Sequence, residues 1–370
     1  MEQITIIGGG LAGLVSSILL SRKGFNVTLY EKRDYPYHKV CGEYISNEVK
    51  PFLEAHGLFP DRFEPSQLKS FQFTSLKGKS FELPLDLGGF GISRYNLDLF
   101  LYQKALESGV NVHTKTSVSN INFDGDRFHL STNTSSFESQ LVIGAYGKTG
   151  GLDKKLNRGF THKNAPFIGV KYHIKTDFPK DKIALHNFES GYCGISAIEE
   201  NKFNLCYLGS REMLRKYGSI EAMEANVVRK NPYLKDIYDN SEFLFERPEV
   251  INAFSFAPKK SVEQHVLMSG DTAGLITPLC GNGMAMAIHS AKILSDCIDR
   301  NFKGNRLQRD KLEREYSSEW KTTFSKRLRV GRNTQKLFGS AITSEIAVWL
   351  MKNSKAFAYR IMKNTHGDPF

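Results

Sequence analysis

The first thirty residues alternate between apolar runs and glycines. Ile4–Ile7 is an uninterrupted apolar run that predicts a buried strand, and the apolar positions of Leu11–Ser21 recur at helical spacing. Gly24 ends this helix, and Val27–Glu31 predicts a second strand. Strand, helix and strand in this order are typical of a parallel sheet. Residues Ile4–Leu20 carry no charge, but their central glycines and the lack of a preceding Lys or Arg argue against a signal or membrane segment.

The rest of the chain divides into β-rich and helical parts. Helices are predicted at 45–56, Tyr95–Ser108, 211–230, Gly283–Ile298 and 308–363. Strands are predicted at Ser70–Phe73, Ser80–Leu83, Val110–His113, Val118–Phe123, Arg127–Ser131, Gln140–Ile143, Gly169–Ile174, Ile183–Phe188, Tyr192–Ile198, Phe203–Leu208, Glu249–Phe256 and His265–Met268. The short strands between residues 110 and 143 resemble an antiparallel meander that returns to the first sheet.

These elements predict an α/β protein, α+β overall, in which a Rossmann-like domain is interleaved with a mostly antiparallel β-sheet domain and followed by a helical segment. The dinucleotide domain is predicted to comprise residues 1–68, 94–165 and 257–300. The second, substrate domain comprises 69–93 and 166–256, and the C-terminal segment comprises 301–370.

The net charge and the spacing of the cysteines argue against several classes of function. The 370 residues hold 50 Lys and Arg against 39 Asp and Glu, a net charge of +11, and residues 300–370 alone carry 16 basic and six acidic residues. Nucleic-acid binding is not predicted, because no recognised fold or motif accompanies this charge. The five cysteines form no C-x-x-C pair, which argues against a disulfide framework and a cysteine zinc site and favours a reducing cytosol. No metal site is predicted.

The sharpest motif is the glycine turn between the first strand and helix. Gly8, Gly10 and Gly13 have the G-x-G-x-x-G spacing, which lets the backbone approach a pyrophosphate at a helix N-terminus, beside Leu11 and Ala12. Glu31, with Lys32 after it, ends the next strand, where a carboxylate accepts from ribose hydroxyls. The acid favours FAD or NAD over NADP.

A second motif bears on the choice between FAD and NAD. The strand His265–Met268 runs into Gly270 and Asp271, and Gly281, Asn282 and Gly283 open a long helix. This resembles the second fingerprint of FAD-dependent enzymes with the p-hydroxybenzoate hydroxylase fold, which include geranylgeranyl reductases, aromatic hydroxylases and flavin halogenases. The resemblance implies tightly bound FAD, with Asp271 on the ribityl chain and the helix N-terminus beside the flavin.

Further cofactor contacts follow from the same resemblance. Arg94 falls where the family has an arginine that contacts the pyrophosphate, a task that suits its bidentate guanidinium. Val118 falls where the family presents backbone to the adenine, although a core valine would look the same.

The segment Lys39–Tyr44 indicates which of these enzyme groups the chain resembles most. It resembles the Lys-Val-Cys-Gly segment of the geranylgeranyl reductases, in which the cysteine faces the substrate side of the flavin. The resemblance implies that Cys41 lies in the active site, where it could donate a proton; a small buried residue is the alternative. Cys280, in the flavin loop, and Tyr192, in the substrate domain, are further catalytic candidates.

Departures from the family patterns bear on the reaction. Tyr146 stands where hydroxylases have an Asp-Gly motif, which weakens the case for their handling of nicotinamide. The Trp-x-Trp signature of halogenases is missing, since Trp320 and Trp349 lie in the C-terminal helices. Gly194 replaces the tryptophan of the reductases' Tyr-x-Trp-x-Phe-Pro strand, which leaves room for a bulkier substrate.

The basic C-terminal segment has two interpretations. Residues 335–363 carry apolar side chains at helical spacing among lysines and arginines, as in helices that bind a membrane surface. The same pattern fits a helical cap on the second domain with solvated lysines. We therefore predict a cytoplasmic protein and keep peripheral membrane contact through 335–363 as an alternative.

The leading hypothesis is an FAD-dependent oxidoreductase that reduces C=C bonds of a hydrophobic isoprenoid, lipid or polyketide-like substrate by hydride transfer, with NAD(P)H or another reductant as electron donor. The alternative is a monooxygenase that hydroxylates an aromatic or polyketide substrate. A third hypothesis is a flavoprotein that transfers electrons or binds a lipid without catalysis.

Overall fold

The secondary structure begins with the predicted strand, helix and strand. The computed structural model describes residues 3–148, 150–162, 166–303, 306–335, 341–354, 363 and 366–370. The strands are β1 (Gln3–Ile7), β2 (Asn26–Tyr30), β3 (Tyr44–Ser46), β4 (Ser66–Thr74), β5 (Ser80–Gly91), β6 (Asn111–His113), β7 (Val118–Phe123), β8 (Phe128–Thr132), β9 (Ser136–Ser139), β10 (Leu141–Gly144), β11 (Phe167–Lys175), β12 (Lys182–Phe188), β13 (Gly191–Ala197), β14 (Phe203–Ser210), β15 (Glu242–Phe243), β16 (Glu249–Phe254), β17 (Val262–Glu263), β18 (Val266–Met268), β19 (Phe302–Lys303) and β20 (Arg306–Leu307). The helices are α1 (Leu11–Arg22), α2 (Lys50–Ala55), α3 (Arg94–Glu107), α4 (Gly151–Lys155), α5 (Arg211–Tyr217), α6 (Ile220–Asn226), α7 (Pro232–Asp239), α8 (Gly283–Asn301), α9 (Arg309–Gln335) and α10 (Ala341–Asn353).

The first sheet has the order β17-β18-β10-β1-β2-β6. Strands β18, β10, β1, β2 and β6 run parallel, and β17 is antiparallel to its neighbour. Helix α1 packs between α3 and α8, so its residues from Leu11 to Leu20 are all buried. This burial explains why the first apolar stretch is uncharged without being a membrane segment.

The meander is shorter than predicted. Strands β7, β8 and β9 form an antiparallel sheet of their own, whereas β6 and β10, the outer members of the predicted set, pair with β2 and β1 in the first sheet. The partner of a short strand is set by residues that are distant in sequence, which local sequence does not show.

The second sheet has the order β15-β11-β14-β13-β12-β4-β5-β3, with β16 paired to β11. It is mostly antiparallel, as predicted. Its range differs from the predicted domain boundary at residue 68, because β3 pairs with β5 and β4 begins at Ser66. The predicted helix at 45–56 accordingly starts as a strand and becomes helical only after Val49.

Alternation along the second sheet separates two apolar surfaces. On β13 and β14 the side chains of Cys193, Ile195, Leu205 and Tyr207 enter a core beneath α6 and α7. Their neighbours in sequence face the first domain. The second sheet thus covers the carboxyl ends of the parallel strands of the first sheet. The predicted α/β fold with a second β domain is confirmed.

The C-terminal segment is helical over its described residues. Helix α9 packs on α8 through Leu312, Tyr316 and Phe324, which are fully buried. Within the membrane-contact range predicted at 335–363, residues 336–340 and 355–362 lie outside the described residues. Among the helices that are described, none has both the length and the apolar character needed to cross a bilayer.

Candidate active site

A cavity of about 480 Å³ lies between the two sheets. Its floor consists of residues that directly follow β1, β2, β10 and β18, where the carboxyl ends of parallel strands meet. Its roof is the inward face of the second sheet, from Ile183 on β12 to Ile251 on β16. Ligands of open α/β sheets bind at this edge, so the fold places a ligand site here.

The glycine turn shapes the floor. Gly8 has a φ of +104°, and a Cβ atom there would lie 2.5 Å from the carbonyl oxygen of Ala145. A Cβ on Gly13 would lie 1.9 Å from the carbonyl oxygen of Gly8, so Gly13 permits helix and strand to pack and lies behind the cavity wall. The backbone requirement that the motif predicted is therefore met at these two positions.

Space is left above Gly10. A Cβ there would meet only the Nη2 atom of Arg94 at 3.7 Å and the Nζ atom of Lys39 at 4.0 Å. Gly10 caps α1, and the N–H groups of the first helical turn, at Leu11 and Ala12, point toward this space. Two cations and a helix N-terminus around an open pocket fit a pyrophosphate group.

Asp98 holds both cations in place. Its carboxylate bonds to Nε of Arg94 at 2.8 Å and to Nζ of Lys39 at 2.8 Å. Burial would raise the pKa of Asp98, but the two cations lower it below its ordinary value. Lys39 was not predicted as a cavity residue from the sequence, although it belongs to the same segment as Cys41.

Glu31 lies at the ribose end of the cavity. Its carboxylate accepts from the backbone N–H of Gly9 at 2.7 Å and of Arg33 at 3.0 Å, and each oxygen keeps a lone pair for a further donor. Lys32 lines the cavity beside it with an exposed side chain. Both predicted residues are therefore on the wall.

The second motif lines the opposite part of the floor. Gly270 has a φ of +62°, and Asp271 next to it faces the cavity. Within the described residues no donor bonds to the Asp271 carboxylate, while its backbone oxygen accepts from Lys259 at 2.8 Å. An unpaired carboxylate on a cavity wall fits a hydroxylated chain such as ribityl.

The helix that follows this motif begins at the cavity. Gly281, with a φ of +62°, and Gly283 line the wall, as the resemblance implied. Asn282 between them is fully buried, and its Nδ2 donates to Glu48 at 3.3 Å, away from the cavity. Of Asn282, only the backbone therefore lies next to the place where the flavin ring is predicted to bind.

Two further candidates are not brought to the cavity. Val118 is buried in the core at the start of β7. Cys280 has its Sγ 3.4 Å from Oγ1 of Thr277 and points toward Gly331 of α9. Burial raises the pKa of Cys280 to about 11, so its thiol stays protonated at neutral pH. The side chain packs against Gly331, so the thiol lies in the core and not on the cavity wall.

The other two catalytic candidates do line the cavity. Cys41 is half-buried on its wall. Tyr192 is buried in the roof, where burial raises its pKa well above 10 and its hydroxyl bonds to the backbone of Leu279. Cys206, which sequence reasoning missed, lies on the same roof, and burial raises its pKa to about 12. Cys41 and Cys206 are both partly exposed, whereas Tyr192 is buried.

A buried ionic cluster fixes the segment that carries Cys41. Glu43 is fully buried and bonds to Nζ of Lys171 at 2.5 Å and to Nε2 of His173 at 2.7 Å. Its carboxylate also accepts from the backbone N–H of Arg94 at 2.7 Å. Burial would raise the pKa of Glu43, but Lys171 and His173 lower it to about 2. The cluster joins the cavity floor to β11 of the roof.

Residues 1–326 match the FAD binding domain family, which covers most of the chain. The chain belongs to this FAD-binding family. FAD is its cofactor, and the glycine turn, the cations above Gly10 and the open carboxylate of Asp271 fit that group. When bound, FAD supplies hydride transfer or oxygen activation, and the protein is an FAD-dependent oxidoreductase.

Known relatives of this FAD-binding chain differ in what they do. Conditioned medium factor receptor 1 of Dictyostelium discoideum is 25% identical over 363 residues, covering 87% of this chain and 68% of that protein. A digeranylgeranylglycerophospholipid reductase of Methanosarcina acetivorans is 23% identical over 339 residues, covering 87% and 81%. The similarity extends well past the cofactor motifs.

Solved structures share the fold. CmlS, a flavin-dependent halogenase, superposes with a TM-score of 0.74 at 21% identity, covering 89% of this chain and 63% of its own. This chain therefore spans less than two thirds of CmlS. At this identity the likeness shows a common FAD-binding fold, and reductase and halogenase relatives are about equally close.

Proposed function

We propose that the protein reduces C=C bonds of a hydrophobic substrate, adding hydride from the reduced cofactor to one carbon and a proton to the other. The observation that carries this proposal is the position of Cys41, on the cavity wall between the predicted flavin site and the roof. A thiol there can reach a ligand that lies against the roof, and the segment Lys39–Tyr44 resembles the Lys-Val-Cys-Gly segment of the geranylgeranyl reductases.

The roof supports a hydrophobic substrate. Ile183, Leu185, Leu208, Ile251 and Phe254 line it, and they come from three strands of the second sheet, β12, β14 and β16. All five side chains are apolar and line the same cavity, so together they form an apolar wall. Such a wall stabilises a bound hydrocarbon by about 25 cal/mol for each Å² that is removed from water.

The ionic cluster supports a role for Cys41 in proton donation. Lys171 bonds both to Glu43 and to the backbone oxygen of Lys39, at 3.2 Å, so the segment is held at both sides of the cysteine. A proton donor must stay within hydrogen-bond reach of its acceptor, which a fixed segment ensures. NAD(P)H or another reductant would restore the reduced cofactor.

Halogenation has little support despite the structural likeness. Trp320 packs in the core and Trp349 is exposed on α10, and neither lines the cavity. Tyr146, at the position of the hydroxylases' acid, donates to Asp153 at 3.0 Å, so its hydroxyl has a structural partner. The two tryptophans therefore do not replace the Trp-x-Trp signature of halogenases, and Tyr146 does not replace the acid of the hydroxylases.

The test is product analysis with the holoenzyme. The protein is reduced anaerobically and mixed with a panel of unsaturated isoprenoid, fatty and polyketide-like compounds, and cofactor reoxidation is followed by absorbance. We expect one compound class to reoxidise the cofactor and to gain two hydrogens by mass spectrometry. Incorporation of labelled oxygen after air is admitted would instead establish a monooxygenase. Reoxidation by none of the compounds in either condition would leave a non-catalytic flavoprotein.

Cys41→Ser tests the proton donor. We expect this variant to keep its FAD content and melting temperature but to form product about 100-fold more slowly, since serine is a much weaker acid. Cys193→Ser is the matched control, because Cys193 is buried on the opposite face of the sheet. An unchanged rate in Cys41→Ser, measured by single-turnover reoxidation, would contradict the proposed role.

A further inference from the structure

Lys148 is a cation on the cavity wall that lacks an acidic partner. Among the described residues no carboxylate lies within 4 Å of its amine, whereas Lys39 and Arg94 share Asp98. Lys32 and Arg33 also form no ion pair with a described residue, but their side chains are exposed where the ribose is predicted to bind. Lys148 is half-buried, so its amine has lost part of its hydration without gaining a counter-charge.

The amine of Lys148 lies on the roof side of the cavity. It donates to the backbone oxygen of Val40 at 3.2 Å, next to Cys41, and it lies 5.7 Å from the ring centre of Phe254. Its positive charge also acts on the thiol of Cys206 in the roof. These neighbours belong to the proposed substrate region and not to the pyrophosphate or ribose positions.

The main chain of Lys148 is fixed from the other side. Its backbone oxygen accepts from Nζ of Lys259 at 3.0 Å, and the same Nζ donates to the backbone oxygen of Asp271. The preceding Gly147 donates its N–H to Oγ1 of Thr272 at 2.9 Å. The side chain therefore extends into the cavity from a position that is tied to the second motif.

Among the described residues, four acids line the cavity, Glu31, Glu43, Glu249 and Asp271, and none of them forms an ion pair with Lys148. Glu43 is engaged by Lys171 and His173, and Glu31 accepts from two backbone groups. Asp271 stands where the cofactor's hydroxylated chain is expected. An ammonium in a largely apolar cavity is stabilised by an anionic ligand, because a buried charge is costly until it is paired.

We propose that Lys148 binds the carboxylate of an apolar carboxylic acid, whose hydrocarbon part lies against the apolar roof. One ammonium matches one carboxylate, whereas a phosphate with two charges would call for further cations that this part of the wall does not hold. The inference rests on the hydrophobic substrate of the proposed function and specifies that the substrate is an acid.

The test compares decanoate with decanol on the FAD-loaded protein. Binding is measured by calorimetry and by the change in cofactor absorbance for the wild type, Lys148→Met and Lys148→Arg. We expect the wild type to prefer decanoate by about 10- to 100-fold, the range for a hydrogen bond to a charged group. Lys148→Met should lose this preference with unchanged decanol binding, and Lys148→Arg should keep most of it.

Lys154→Met is the matched control, because Lys154 is exposed on α4 outside the cavity, and it should bind both compounds as the wild type does. Equal preference in the wild type and Lys148→Met would overturn the proposal, as would failure of the wild type to bind decanoate. Loss of FAD from Lys148→Met would also overturn it, since Lys148 would then be a cofactor contact. The proposed reduction can fail independently, with decanoate bound and no hydrogenated product formed.

Discussion

Glu43 is the residue on which both halves of the site depend. Its backbone has a φ of +53°, an uncommon conformation for a side chain of this size, and its carboxylate is fully buried. Lys171 and His173 bind it from the roof, and the backbone of Arg94 binds it from the cofactor side. A carboxylate with three such donors stays ionised without water, so the cluster holds floor and roof in register.

Lys171→Met tests this linkage. Removing one partner leaves Glu43 buried without its nearest cation, which costs about 3–5 kcal/mol of unfolding free energy. We expect the loss in urea unfolding of the FAD-loaded protein. Lys175→Met is the control, since Lys175 lies on the same strand with an exposed ion pair and should change stability by less than about 1 kcal/mol. Wild-type stability in Lys171→Met would show that the cluster does not hold the domains.

The same residue predicts an acid dependence. The pKa of Glu43 is lowered from 4.5 to about 2, so the folded state binds fewer protons than the unfolded state between these values. The stability that Glu43 contributes is therefore complete above pH 4.5 and is lost as the pH falls toward 2. In Lys171→Met the folded-state pKa of Glu43 loses a lowering cause and moves up toward that of the unfolded chain, so the loss of stability on acidification should be smaller, which urea midpoints measured from pH 3 to 7 would show.

At the scale of elements, β13 shows how one strand serves two surfaces. Tyr192 and Gly194 face the cavity, while Cys193 and Ile195 enter the core on the other side. A Cβ on Gly194 would lie 3.3 Å from Leu185 and 3.7 Å from a backbone oxygen, and its φ is not in the left-handed region. A side chain is therefore tolerated there and would extend into the space above the cavity floor.

Gly194→Leu should shorten the substrate space. We expect kcat/KM for the longest accepted substrates to fall at least about tenfold, because overpacking a formed apolar site costs about 1–3 kcal/mol. FAD content and melting temperature should change little. Gly151→Leu, at an exposed position of α4 with nothing within 4 Å, is the control. Equal losses for short and long substrates would indicate a general distortion of the sheet.

Local rules predicted the parts of the site that depend on local backbone. The glycine turn and Glu31 follow from spacing alone, because a tight strand-to-helix turn and the end of the next strand lie within about 30 residues. The direction of the Cys280 side chain depends on its packing against Gly331, some 50 residues later in the chain. Helix α7 was missed although Asn231 caps it with two hydrogen bonds.

Long-range pairing accounts for the remaining differences. Glu43 and Lys171 are 128 positions apart, so no pattern along the chain marks them as partners. Likewise β3 becomes a strand because β5 supplies its hydrogen bonds, although residues 45–56 have a helical pattern. Tertiary contacts override local preference at such junctions, and the junction between the two domains is where the site lies.

At the scale of the whole molecule, α10 closes the end of the second sheet. Val348 is 2% exposed and packs in a cluster with Tyr192, Leu208 and Phe254, which line the cavity. On the outside Ile346, Trp349 and Leu350 are 51%, 63% and 36% exposed. The inner face supports the interpretation as a cap, and the outer face is the described part of the membrane contact predicted at 335–363.

Two substitutions at adjacent residues test the inner and the outer face of α10 separately. Val348→Asp buries an unpaired charge beside the cavity roof, and we expect it to destabilise the protein by about 2–4 kcal/mol, seen as a lower melting temperature. Trp349→Ser removes an exposed ring and should leave the melting temperature nearly unchanged. Similar melting temperatures for both variants would mean that α10 does not cap the sheet.

Trp349→Ser also measures what the outer face contributes at a membrane. An aromatic residue flanked by apolar side chains, with Lys352 in the last turn, suits the headgroup layer of an anionic bilayer. If α10 rests on a bilayer, cosedimentation with phosphatidylglycerol vesicles should fall in this variant while its fold and FAD content stay intact. Since Val348 joins α10 to the residues that line the cavity, such contact would bring an apolar acid from the bilayer to the roof against which we expect it to bind.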